Sequence, residues 1–192
     1  TNNPVAFKTA KTISSVVNPT NPVYDVAIYS DNASSGNGIF CYNNSGATRI
    51  DVGYLTTDGA VGTAGAGYPV AATITSTNAT DCIAICGDKI NTVVAEEERI
   101  YVGYASTGSS LGLKIKRLTA LLAVEATHTV EATATKIDGA SMLVTQAGDL
   151  QIIYTLNATN TYDHQAKGAL YNITSDSMGS AAVIKRSVGL VS

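Results

Sequence analysis

Arg49-Ile-Asp-Val-Gly-Tyr54 returns later in the chain as Arg99-Ile-Tyr-Val-Gly-Tyr104 and, in a looser form, as Asp149-Leu-Gln-Ile-Ile-Tyr154. The three tyrosines are fifty residues apart, and the first two stretches share five of six residues. Each stretch is a short alternating run of the kind that predicts a β-strand. A fixed period in a chain of 192 residues indicates an internal repeat, and a repeat of this kind decides the fold.

The flanks of the three tyrosine stretches repeat as well. A short apolar run precedes each one across a polar turn, which predicts a β-hairpin, and a glycine-led run follows. The preceding runs are 38–42, 91–95 and 141–145, and the following runs are 67–75, 112–119 and 168–174. A fourth run closes each unit at 81–86, 130–135 and 181–185, and runs at 5–9 and 24–29 form an N-terminal half unit.

These runs predict a half blade over residues 1–37 and three blades over about 38–88, 89–138 and 139–192. Four antiparallel strands per unit predict an all-β, β-propeller-like array, because a four-stranded sheet cannot bury both faces alone and stacks on its neighbours. A β-sandwich that arose by duplication and a β-solenoid are the alternatives. Only residues 118–124 also fit a short helix. A propeller closes into a ring of whole blades, which three and a half units do not complete. The ring would need termini that share one blade, more chain, or other subunits.

The composition narrows the function classes. A net charge of −3 disfavours nucleic-acid binding, and alternation places Lys114 and Lys116 on one solvated strand face. No apolar run approaches the roughly 20 residues of a membrane helix, so we expect no membrane insertion. The chain starts at Thr1 without Met, which suggests a processed protein or a piece of a longer one.

The chain has three cysteines, Cys41, Cys82 and Cys86. This number is small and odd, which disfavours a disulfide framework. In a regular strand Cys82 and Cys86 would be about 13 Å apart, beyond the reach of a disulfide. We therefore expect buried thiols. A bridge that involves Cys41, or a metal site completed by His128 and His164, are the alternatives.

Three elements recur in the same order along the chain. A hairpin that ends in an Ile/Val-x-x-Tyr strand comes first, a polar loop follows, and a glycine-led strand comes last. The order occurs at 99–106 with 112–119, at 149–155 with 168–174, and at 49–55 with 67–75. This order resembles the propeller-type repeats of bacteriophage tail and fibre proteins and of bacterial surface proteins. The resemblance covers about residues 23–186, and it implies a structural or receptor-binding role on a virion or cell surface, without catalytic residues.

Catalytic patterns are missing from the sequence. The chain has no Trp and therefore no sialidase-type Asp-box, and Arg49 and Arg99 are repeat equivalents at strand starts rather than a substrate clamp. Glu96, Glu97 and Glu98 lie in a predicted turn, and no serine-hydrolase, zinc-protease or P-loop motif is found. We therefore predict a protein that is not an enzyme and that has no catalytic residue, metal or cofactor.

Two groups of repeat-related residues and two loop residues are the candidates for a role. Tyr54, Tyr104 and Tyr154 are predicted to pack between blades. Asp31, Asp88 and Asp138 are predicted to end equivalent strands in turns, with a recurrent calcium or ligand loop as the alternative. Tyr68 and Tyr162, in loops, are weak candidates for stacking on a sugar.

These observations favour a non-enzymatic structural or attachment subunit of a larger assembly, on a virion or outside the cell. Its expected partners are copies of itself or other subunits, with a cell-surface glycan as a further partner and without nucleic acid. A carbohydrate-binding, lectin-like propeller is the first alternative, and a glycosidase is the second.

Overall fold

In a computed structural model, the chain is all-β over the part that the structure describes: residues 23–28, 38–44, 49–55, 61–62, 71–75, 80–88, 99–106, 112–132, 137–145, 147–157 and 163–188. These ranges contain fourteen strands and no helix, and every strand pairing is antiparallel. The predicted all-β class is therefore confirmed. The same ranges contain no apolar helix of membrane-spanning length.

The strands form three separate antiparallel sheets in chain order. The first sheet contains β1 (Tyr24–Ile28), β2 (Gly38–Asn44), β3 (Arg49–Leu55), β4 (Val61–Gly62) and β5 (Ala71–Thr75). The second contains β6 (Thr80–Asp88), β7 (Arg99–Ser106), β8 (Gly112–Thr119) and β9 (Val124–Glu131). The third contains β10 (Ile137–Val144), β11 (Asp149–Asn157), β12 (Asp163–Asn172), β13 (Ser177–Met178) and β14 (Ala182–Val188). In each sheet consecutive strands pair, except that β4 and β5 both pair with β3, and β13 and β14 both pair with β12.

The second sheet lies between the other two, and β7 shows why. Ile100, Val102 and Tyr104 belong to a core shared with the first sheet, whereas Tyr101 and Ala105 belong to a core shared with the third. Alternate residues of a strand point to opposite faces, so β7 is apolar on both faces and reads as a nearly continuous apolar run. Complete burial of one large apolar side chain contributes about 1.5–3 kcal/mol to the stability of the fold, and β7 buries several such side chains.

The first strands of the three sheets lie side by side, since β6 contacts β1 on one side and β10 on the other. At this junction the Ile85 amide donates a hydrogen bond to Asp25 Oδ2 at 2.8 Å, which satisfies a backbone group at the edge of β6. Cys41 is buried near the same carboxylate, and burial first and Asp25 second raise the pKa of its thiol. All three cysteines are buried thiols, as predicted.

The first two hydrogen-bonded sheets begin one strand earlier than the sequence units, whereas the third sheet contains strands that overlap the four runs of the third unit. Residues 81–86 do not close the first unit, because β6 pairs with β7 and opens the second sheet. The run at 24–29 belongs to the first sheet through β1, and the predicted run at 91–95 lies outside the described residues. The sheets start at residues 24, 80 and 137, a spacing of 56 and 57 rather than fifty.

The tyrosine repeat is likewise only partly a structural repeat. Tyr104 and Tyr154 lie on the second strands of their sheets, β7 and β11, and face the preceding sheet. Tyr54 lies on β3, the third strand, and faces the following sheet. The prediction of matching places is therefore wrong for Tyr54. Stretches with a similar alternation of apolar and polar residues form strands with similar burial. The position of such a strand within its sheet, however, depends on the strands with which it exchanges hydrogen bonds.

The stretch with a possible helical pattern is a hairpin turn. β8 ends at Thr119 and β9 starts at Val124, and between them Leu122 adopts a positive φ of 62°. The Leu122 amide donates to the Thr119 carbonyl and the Thr119 amide to the Ala123 carbonyl, both at 2.9 Å. Tyr54 Oη donates to the Ala120 carbonyl at 2.5 Å and so attaches the first sheet to this turn.

Two glycines with positive φ allow a matched test of the close approach between β8 and β9. Gly112 has φ 133°, and a Cβ there would overlap the Glu131 carbonyl, whereas Gly148 has φ 82° and open space around it. We expect Gly148→Ala to lower the free energy of unfolding by about 1–2 kcal/mol from backbone strain alone. Gly112→Ala adds a steric overlap and should cost at least about 3 kcal/mol. Urea unfolding measures both, and equal losses would contradict this account.

Candidate functional site

The outer face of the third sheet presents large apolar side chains to solvent. We call it the open face; it is defined by Leu143 of β10, Ile153 of β11, Leu170 of β12 and Ile184 of β14, which are 50, 42, 50 and 61% exposed. The strand register aligns these residues, since Leu143 and Leu170 both lie opposite Gln151, and Ile153 lies opposite Gly168. Ile184 lies across Gly168, where a Cβ would come within 3.1 Å of its Cδ1 atom.

The rest of the open face is mostly small and uncharged. The remaining positions in its three cross-strand rows are Gly139, Ser141, Gln151, Thr155, Ala166, Gly168, Ala182 and, opposite Ala166 on β14, Lys185. Single exposed apolar residues are ordinary on protein surfaces, whereas a contiguous apolar group on four neighbouring strands marks an interaction site. The open face therefore has the amino-acid composition of a buried sheet surface, although it is exposed to solvent.

The outer face of the first sheet is different. Phe40, Tyr42 and Asp51 lie on it, and each is at most 9% exposed. The exposed side chains on that face are those of Tyr24 and Val26 on β1 and of Thr73 on β5, which lies opposite Asp51. The centre of that face is thus already covered within the chain, and of the sheet faces that the structure describes, the open face is the one that remains uncovered.

A second feature is the Asp176 cluster, which joins the turn between β12 and β13 to the second sheet. Asp176 Oδ1 accepts a hydrogen bond from Tyr171 Oη at 2.5 Å and lies 2.8 Å from His128 Nε2 and 3.1 Å from Arg117 Nη1. Arg117 Nη1 also donates to Tyr171 Oη at 2.9 Å. The His128 ring lies 4.9 Å from the Tyr171 ring, centroid to centroid. Glu125 extends the cluster by pairing with Arg99 at 2.6 Å and with Arg117 at 3.2 Å.

The electrostatics of the Asp176 cluster follow from these contacts. The hydrogen bond from Tyr171 first, and the Arg117 and His128 charges after it, lower the pKa of Asp176 against the opposing effect of its partial burial. Burial, followed by the hydrogen bond to Asp176, raises the pKa of Tyr171 to about 12. Tyr171 therefore stays a neutral donor at ordinary pH, and Asp176 stays an anion that contacts the Arg117 guanidinium and the His128 ring.

A third feature is a buried ion pair between the second and third sheets. Glu131, at the end of β9, is 9% exposed and accepts hydrogen bonds from Tyr154 Oη at 2.9 Å and from Lys167 Nζ at 2.5 Å. Burial and the bond to Glu131 raise the pKa of Tyr154 above its ordinary range. A buried carboxylate that holds a partly buried cation is a structural tie, because each charge neutralises the other away from water.

The predicted site residues are dispersed. Tyr54, Tyr104 and Tyr154 are buried in the two cores between sheets. Tyr68, Tyr162 and Asp31 lie outside the described residues, as do Glu96, Glu97 and Glu98. Asp88 is the last residue of β6, whereas Asp138 is the exposed second residue of β10, so these two do not end equivalent strands as predicted. No group of three or more His, Cys, Asp or Glu within the described ranges is placed to hold a metal ion.

Sequence reasoning missed both the open face and the Asp176 cluster. The open face has a weak local signal, because pairs such as Ile152-Ile153 and Val183-Ile184 make both sides of a strand apolar. The Asp176 cluster has none, since Asp176 and His128 are separated by 48 residues along the chain. Only the pairing of β9 with β8 and the stacking of the sheets bring them together.

Comparison of the chain with protein-family models, curated proteins and solved structures finds no match in any of the three. The geometry and the sequence are therefore the grounds for the function proposed below.

The buried ion pair can be tested with single and double variants. Lys167→Met removes the cation beside a buried carboxylate and should lower the free energy of unfolding by about 2 kcal/mol. Adding Glu131→Gln removes the charge that Lys167 neutralises and keeps an acceptor for Tyr154, so the double variant should be more stable than Lys167→Met. Urea unfolding at pH 7 measures wild type, Lys167→Met, Glu131→Gln and the double variant. Strictly additive losses from the two substitutions would contradict a coupled pair.

The Asp176 cluster should make stability depend on pH in the acid range. A carboxylate whose pKa is lowered by folding stabilises the protein fully above its ordinary pKa of 3.8, and this contribution is lost as the pH falls through the lower, folded-state pKa. We expect Asp176→Asn to lower the melting temperature at pH 6 and the difference from wild type to shrink towards pH 3. A difference that stays constant with pH would contradict the assignment.

Proposed function

We propose that the chain is a non-enzymatic structural or attachment subunit of a larger assembly, built as an open β-propeller-like array. Three stacked antiparallel sheets whose first strands run side by side support a propeller-like arrangement over a β-sandwich, which has two sheets. The pairing of consecutive strands within each sheet is the order expected of propeller blades.

The observation that carries the proposal is the open face. The second sheet is covered on both faces, and the third repeats its strand order but is covered on one. Leu143, Ile153, Leu170 and Ile184 keep roughly half of their surface in water. Covering four such side chains would contribute on the order of 3–6 kcal/mol. A surface that gains this much on being covered suits a subunit that functions in contact with another protein surface.

The placement on a virion or cell surface rests on the resemblance to the repeats of phage tail and fibre proteins and of bacterial surface proteins. In such a role the two inter-sheet cores supply rigidity, and loops between strands are free to vary without disturbing the stack. The buried ion pair and the Asp176 cluster act in this proposal as ties between sheets rather than as reactive groups.

The proposal is tested on particles from the phage or bacterium that encodes the chain. After density-gradient banding, quantitative mass spectrometry should find peptides of the chain in the particle or cell-surface fraction in many copies. A soluble enzyme of the same lysate is the control and should stay in the supernatant. Recovery of the chain with that enzyme alone would overturn the proposal. Antibodies against the chain that decorate particles and block adsorption to host cells would assign attachment rather than an internal structural role.

A further inference from the structure

We propose that the open face is a self-association interface, on which a second copy of this chain packs its own open face about a two-fold axis. The inference rests on the proposed function, because it names the partner of that same surface. Three properties of the chain support it: the composition of the face, the faces available on a second copy, and the area that would be buried.

The composition suits pairing with itself. The two rows that carry Leu143, Ile153 and Leu170 are uncharged throughout, so two copies brought face to face over these rows place no like charges together, and Lys185 lies opposite Ala166 at the end of the third row. Large apolar side chains alternate with polar or small ones: Leu143 and Leu170 flank Gln151 in one row, and Ile153 lies between Ser141 and Gly168 in the next. Such a surface offers ridges and recesses that can interdigitate when two sheets pack about 10 Å apart.

The symmetry of the dimer depends on which sheet faces of the second copy are uncovered. A head-to-tail stack would need the outer face of the first sheet of the second copy, but Phe40, Tyr42 and Asp51 at the centre of that face are already buried. Both faces of the second sheet are occupied as well. Of the sheet faces within the described residues, this leaves the open face of the second copy. A contact that uses the same surface on both partners is isologous and closes at two copies.

The area predicts a reversible dimer. Four strands about 4.8 Å apart, each contributing about seven residues at 3.3 Å, span a face of roughly 450 Å² per copy. Two such faces bury about 900 Å² in total, which is below the roughly 1,000 Å² of a stable specific interface and within the range of weak, transient complexes. The dimer should therefore form and dissociate with protein concentration, and one charge placed in the centre of the face should abolish it, because that charge would be buried opposite its own copy.

The experiment is sedimentation equilibrium of the whole chain over a wide concentration range. The apparent mass should rise from 19.8 kDa and level off at twice that value. Leu170→Lys and Ile153→Lys should each keep the mass at that of the monomer. Val26→Lys, at a side chain of comparable exposure on the outer face of the first sheet, is the matched control and should dimerise like wild type. Because all three side chains are exposed, circular dichroism and thermal unfolding should confirm that the variants fold.

Any other mass, or a different pattern among the variants, overturns the inference. A mass that continues to rise beyond two copies would show head-to-tail association, and a dimer that survives both Leu170→Lys and Ile153→Lys would lie elsewhere, such as along a strand edge. Loss of the dimer in Val26→Lys alone would move the interface to the first sheet. A chain that stays monomeric yet is found in purified particles would overturn self-association and leave the proposed function standing. A chain that dimerises as expected but is absent from particles would overturn the proposed function and leave self-association standing.

Discussion

Burial of both faces of the second sheet is the constraint on which the rest of the structure depends. Its central strand, β7, carries Ile100, Val102 and Tyr104 on one side and Tyr101 and Ala105 on the other, and all five are buried. A sheet with two apolar faces cannot stand alone in water, so it needs a neighbour on each side. The first and third sheets provide these neighbours, and the order of the stack follows the order of the chain.

Polar ties fix how the sheets lie against one another, which apolar contact alone would leave loosely defined. At the first junction Asp25 accepts from the Ile85 amide, and Tyr54 donates to the carbonyl of Ala120. At the second junction Glu131 binds Tyr154 and Lys167. Each of these bonds joins one sheet to the next and satisfies a polar group that the stacking removes from water, so a shift of one sheet would leave such groups unsatisfied.

The open face follows from the same constraint applied to the end of the stack. The third sheet has the strand order of the second, and its inner face packs Leu150, Ile152 and Tyr154 into the shared core. On the outer face, Ile153 and Leu170 lie where a further sheet would cover them. The surface that we propose for assembly is thus not an added feature, since it is the next face of a repeating architecture.

The sequence by itself determined the all-β class, the strands around the three tyrosine stretches and the buried thiols, because alternation and turn composition are local properties of a few residues. It did not determine where the first two sheets begin, that Tyr54 lies on a third strand, or that residues 118–124 form a hairpin turn. The first two features depend on which strands exchange hydrogen bonds across the nine residues between β1 and β2 and the ten between β6 and β7, and the third depends on the pairing of β8 with β9. Local patterns carry no record of these choices. The open face and the Asp176 cluster were decided by the tertiary structure alone, because a side chain is covered or exposed, paired or isolated, only relative to residues distant in the chain.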